Sequence, residues 1–203
     1  MNDRPQQKAH LEATYNRILD AAARIFEAKG YHGAKMQDIA AAAGLTKGGI
    51  YHHLTSKADT LFAINERYLT AGMAEIRRIA DNGDLSCLNK IDGLALAIAA
   101  QHDDYGSDLR VALRESFSPS VQEHKRLVAL RDEYESVVKQ VFIDGVESGE
   151  LIKMDPQLMV KFFFGSLNWM SIWYHPGPYS AREVGEAFSE LLTRAMAADR
   201  PAT

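Results

Sequence analysis

The chain has 203 residues, 46% of them apolar and 25% charged, with a single cysteine and a formal net charge of −4. This balance excludes a disordered chain, a collagen and a disulfide-stapled miniprotein, and it leaves Cys87 an inert thiol with no intramolecular partner, as a reducing cytoplasm favours. The charge is uneven: residues 1–60 hold eight Lys/Arg against six Asp/Glu, a net of +2, and residues 61–203 hold fifteen against twenty-one, a net of −6.

The opening M-N-D-R-P-Q-Q-K has no apolar core of a signal peptide. After it the pattern is helical, and no alternating β-branched run bounded by turn signals predicts a strand. Ile18, Leu19, Ala22, Ile25 and Phe26 recur at helical spacing, and Lys29-Gly30 reads as their stop. A short helix spans about 36–43, closed by Gly44; another spans about 47–53, with Thr46 as its N-cap. Ser56-Lys57-Ala58-Asp59 resembles a capping box and opens a long helix with Phe62, Leu69, Met73, Ile76 and Ala80 on one stripe. Asn82-Gly83 ends it.

Two helices follow, over about 85–102 and 107–117, the second stopping before Ser118-Pro119. A long helix over about 120–148 carries Leu127, Leu130, Tyr134, Val137, Val141 and Phe142 on one face. Asp155-Pro156 opens a helix to about residue 174, which His175-Pro176-Gly177-Pro178 breaks. Ser180-Ala181-Arg182-Glu183 is a full capping box, and Val184, Ala187, Phe188, Leu191, Leu192 and Ala195 make the last apolar stripe. The run 162–174 is too short to span a bilayer, so no membrane span is expected. The fold class is all-α with about nine helices: a three-helix head on a helical body.

Residues 37–53, Q-D-I-A-A-A-A-G-L-T-K-G-G-I-Y-H-H, form the pattern of a helix-turn-helix. Ile39, Ala40 and Ala43 are small enough for close helix approach, with Leu45 and Ile50 as buried points. Gly48 and Gly49 open the second helix at a cost of about 1 kcal/mol each relative to Ala. A glycine pair there suits a helix front that must lie against another surface; it also suits an ordinary turn. Such units occur in proteins that never touch DNA.

Three stretches carry a resemblance: I-L-D-A-A-A-R-I-F-E-A-K-G-Y (18–31), D-I-A-A-A-A-G-L-T-K-G-G-I-Y-H-H-L (38–54) and S-K-A-D-T-L (56–61). Together they resemble the DNA-binding head of the TetR family of bacterial transcriptional repressors. The resemblance implies a head over 1–56 and an effector-binding and dimerisation body over 57–203. It implies DNA contacts from Lys35, Thr46, Lys47, Gly48, Gly49, Tyr51, His52 and Lys57. The chain departs from the family at Lys35, where Ser or Thr is usual, at Gly49 and at Leu54. Thr46, Lys47 and the amides of Gly48 and Gly49 lie at a helix N-terminus, which favours phosphate oxygens. Lys57 sits in a first helical turn, where the dipole disfavours a cation, so an external anion is a reason for it.

The family's body binds a small effector and forms a homodimer. Here the ligand-binding candidates are His102, Tyr105, Arg110, Arg114, Phe117, Tyr134, Phe163, Asn168, Trp169 and Trp173. The helix over 155–174 is apolar on nearly every side and must be covered all round, which points to a homodimer through it and the 180–197 helix. N-W-M-S-I-W-Y-H-P-G-P-Y-S-A-R-E-V (168–184) resembles a TetR subgroup responsive to acyl-CoA thioesters, which makes an acyl-CoA the implied effector. The partners expected are a near-palindromic double-stranded DNA operator, that effector and a second copy; no catalytic residue, cofactor or metal ligand is expected. A helical protein-binding adaptor and an all-helical enzyme are the alternatives.

Overall fold

The computed structural model describes residues 4–114, 121–175 and 177–198. Nine helices run through them: α1 (Arg4–Gly33), α2 (Met36–Ala42), α3 (Lys47–Tyr51), α4 (Lys57–Ala80), α5 (Cys87–Arg114), α6 (Val121–Glu147), α7 (Pro156–Asn168), α8 (Met170–Trp173) and α9 (Ala181–Met196). Among the described residues the sole β feature is an isolated antiparallel bridge between Leu151 and Ala197. No described helix is long and apolar enough to cross a membrane.

Contacts divide the chain into two compact units, Met1–Arg67 with Ser107–Leu127 and Tyr68–Gly106 with Val128–Thr203. In the first, Ile18, Leu19, Ala22 and Phe26 of α1 meet Ile39, Ile50, Leu61, Ile64 and Val111 in one buried cluster. The Val111 segment is fastened by charge. Arg67 forks onto the buried Asp108 carboxylate at 2.8 and 2.9 Å and also reaches Asp20 at 2.8 Å. Arg110 bonds Glu27 of α1 at 2.7 Å. Fork-on-fork pairing of this kind satisfies a carboxylate that burial would otherwise penalise.

In the second unit, α4, α5 and α6 meet around Gly72. A Cβ there would collide with Gln101 Nε2 and stand 3.0 Å from the Tyr134 hydroxyl oxygen. The same two groups bond each other at 3.0 Å. Met159, Val160, Phe163 and Leu167 of α7 are buried, as are Val184, Ser189, Leu192 and Met196 of α9.

Several elements differ from the sequence expectation. α1 begins fourteen residues before Ile18, and its path leaves helical geometry at Gly30 (φ 70°, ψ 161°), where the stop was read. The helices expected over 85–102 and 107–117 run on as α5, but the backbone leaves helical geometry at Tyr105 (φ −126°, ψ 22°), inside the gap expected between them. The 155–174 helix is interrupted at Trp169 between α7 and α8. The caps form as read: Thr46 accepts from Gly49 N, Asp155 from Gln157 N, and Ser180 and Glu183 close a reciprocal box. At α4 half of the box forms, with Ser56 Oγ accepting from Asp59 N at 3.0 Å. The Asp59 carboxylate in turn accepts from Thr55 N at 3.2 Å. Ser118, Pro119 and Pro176 lie outside the described residues.

Candidate nucleic-acid interface and effector residues

The helix-turn-helix is built on small residues. Ile39, Ala40, Ala43 and Ile50 are buried, so α2 and α3 close on one another with methyl groups between them. The turn needs a left-handed residue, and Gly44 supplies it at φ 68°. Leu45 N then bonds Ala40 O at 2.9 Å, and Thr46 Oγ1 accepts from Gly49 N at 3.0 Å. Lys29 at the end of α1 holds Asp38 of α2 at 2.8 Å.

With that core fixed, one surface of α3 faces outward. Lys35, Thr46, Lys47, Gly48 and His52 are exposed and Tyr51 is 44% exposed, although it is a large ring beside a buried Ile50. Gly49 and His53 are half-buried. Gly48 has an ordinary helical φ, and a Cβ there would meet nothing within 4 Å. Neither strain nor internal packing asks for glycine at this position. The missing side chain leaves a bare strip on the outside of α3, where another surface can come close.

Lys57 has partners within the protein. Its ammonium is half-buried and donates to Tyr31 O at 2.8 Å and His32 O at 3.4 Å, and it lies 4.7 Å from the Tyr31 ring centroid. These partners account for a cation in the first turn of α4 without an external anion. Tyr31 was not singled out from the sequence; the unusual placement of Lys57 was the signal that could have found it.

The ligand-binding candidates scatter. Arg110 and Arg114 belong to the first unit, where Arg110 is taken up by Glu27, so it is not a free cation for a ligand phosphate. Phe117 lies outside the described residues. In the second unit, His102 packs edge-on against Tyr174, Tyr134 is tilted against Phe164, and Phe163 is edge-on to Phe142. Burial pushes the Tyr134 hydroxyl far above its ordinary range, so it stays a neutral polar group. Tyr105 sits at the α5 bend and Asn168 closes α7, both half-buried. Trp169 and Trp173, read as pocket residues, are 62% and 42% exposed. They point out because the inward face of this stretch is already filled by Phe163, Leu167 and Met170.

The sequence and the fold match those of known proteins. Residues 18–64 match the family described as "Bacterial regulatory proteins, tetR family", and residues 84–196 match "Tetracyclin repressor-like, C-terminal domain". The TetR family regulator PfmR of Thermus thermophilus is 31% identical, with a TM-score of 0.81, covering 88% of this chain and 97% of that one. The repressor KstR2 of Mycobacterium tuberculosis is 26% identical over 86% of this chain and 88% of its own. A regulator solved with isovaleryl coenzyme A and operator DNA, AibR, shares the fold at a TM-score of 0.79 and 23% identity, covering 89% and 98%. The chain belongs to the TetR family of bacterial regulatory proteins, DNA-binding regulators of transcription.

Proposed function

We propose that residues 1–56 dock on a near-palindromic operator and that residues 57–203 bind the effector and form the dimer, in the cytoplasm. The exposed, side-chain-free strip at Gly48 carries this reading. Thr46, Lys47 and the amides of Gly48 and Gly49 would receive phosphate oxygens, with Lys35, Tyr51 and His52 beside them. In a twofold dimer the two α3 helices would meet successive major grooves about 34 Å apart.

The effector is an acyl-CoA thioester. This rests on the resemblance of residues 168–184 to the acyl-CoA-responsive subgroup and on the isovaleryl coenzyme A held by a neighbour of the same fold. In the second unit the candidates are His102, Tyr105, Tyr134, Phe163 and Asn168. Binding to a body state that misaligns the heads would weaken operator affinity by the ligand's preference for that state, about 1–3 kcal/mol.

The test begins with a duplex enriched by the protein from a random library. Isovaleryl-CoA, a long-chain acyl-CoA and the matching free acids are then titrated into the complex. Release by a thioester and not by its acid is expected. If no thioester moves the binding curve, the effector class is wrong.

A further inference from the structure

We infer that the first turns of α1, through Lys8 and Arg4, bind the DNA backbone outside the base pairs that α3 faces. The inference rests on the DNA-binding reading above and adds a second contact surface to it. α1 begins at Arg4, whereas the buried core of the head begins at Ile18. Pro5 stands near its start, and Gln6, Gln7, Lys8 and Ala9 enter a helix at little cost. Every side chain from Gln6 to Ala13 is exposed, so packing within the described residues does not account for the length of the helix.

This overhang lies beside α3. Leu11, Tyr15 and Asn16 share a groove with His53, just past the C-terminal end of α3 and next to the exposed Tyr51 and His52. With 3.6 residues per turn, Tyr15, Leu11, Lys8 and position 4 fall within about 60° of one another. They lie on the face that carries Ala22 and Phe26 into the core. That face is apolar where the head covers it and basic where it leaves the head. Lys8 stands about 10 Å along the helix from Tyr15, and Arg4 about 16 Å. Lys8 is 3.9 Å from Glu12, but both side chains are largely exposed, so the pair contributes little and leaves the ammonium to a stronger anion. A duplex lying against Tyr51 and His52 would run on past the groove, and its phosphates are that anion. Arg17 and Arg24 are also exposed, but they lie on the opposite face of α1.

The test uses the full chain and the enriched duplex at two lengths, one with long flanks and one trimmed to the base pairs that α3 covers, each titrated with salt. Each phosphate contact contributes about 0.9 to the slope of log affinity against log salt. On the long duplex Lys8→Gln should lower the slope by about 1.8, one contact for each head of a twofold dimer, and the Arg4→Gln, Lys8→Gln double variant by about 3.6. On the trimmed duplex both should keep the wild-type slope. Lys8→Arg should keep it on either length. Arg17→Gln removes the same charge from the opposite face and should leave both slopes unchanged. Preference for the enriched over a scrambled duplex should stay the same in every variant, because phosphate contacts carry no sequence information. A double variant with the wild-type slope on the long duplex would overturn the inference. So would an equal loss in Arg17→Gln, which is a general effect of charge, or an equal loss on both lengths, which puts the contact within the α3 footprint. A double variant that keeps its slope but loses the dimer in ultracentrifugation would give the overhang to a second copy and overturn it too. If the wild type enriches no duplex, the DNA-binding reading itself falls; if it enriches one and the slopes do not move, this inference falls alone.

Discussion

At Gly48, folding and function ask for different side chains. It sits in α3 with a helical φ, and nothing stands within 4 Å of where its Cβ would be. Alanine there should stabilise the head by up to about 1 kcal/mol through backbone entropy. If the bare strip is where the DNA backbone approaches, the same methyl group should weaken binding. Gly48→Ala is therefore expected to raise the melting temperature and to lower affinity for every duplex, measured by thermal denaturation and by titration. A variant that is more stable and binds as well as the parent would leave the glycine without a docking role. Gly48 was legible in the sequence because its propensity cost was unexplained there. The partners of Lys57 were not, since spacing along the chain does not say which carbonyls from α1 come near α4.

At the scale of elements, the caps were legible because a cap is local: Thr46, Asp155 and Ser180 each bond an amide two or three residues away. Long-range caps are not local, and α5 has one. Glu150, sixty-odd residues on, accepts from Cys87 N and Leu88 N, both at 2.9 Å. Burial pushes its carboxyl up, but the amides of Leu88 and Cys87 with Ser86 outweigh that and hold it below its ordinary range. The bonds therefore stabilise the fold above the ordinary carboxylate pKa. That contribution is lost as pH falls through the lower folded value. In urea unfolding followed against pH, Glu150→Gln should be less stable than the parent at neutral pH and should approach it under acid. Parallel curves at all pH values would mean that the charge on Glu150 does not matter. The break at Tyr105 was legible too, because the apolar spacing leaves a gap between two helices at 103–106 and the backbone departs from helical geometry inside it.

At the scale of the whole molecule, the apolar residues exceed what one chain buries. Leu158 is 62% exposed, Phe162 59%, Trp169 62%, Ile172 54% and Leu191 66%. The sequence showed that α7 needs cover on all sides, but not how it divides. It also merged two faces of α9 into one stripe, since Val184 and Leu192 point inward while Leu191 points out. An exposed set of large apolar side chains of this size marks an association surface. In a family of homodimers the economical occupant is a second copy. Leu191 is the sharpest probe, because its exposure means that a charge there costs the isolated chain little. Leu191→Glu should leave the melting cooperative and shift the protein from dimer to monomer in analytical ultracentrifugation. A monomer brings one α3 to the operator in place of two, so its salt slope on the enriched duplex should fall to about half. A dimer that persists at micromolar concentration would place the interface elsewhere on the second unit. A monomer that kept the full slope would show that one head alone makes all the phosphate contacts.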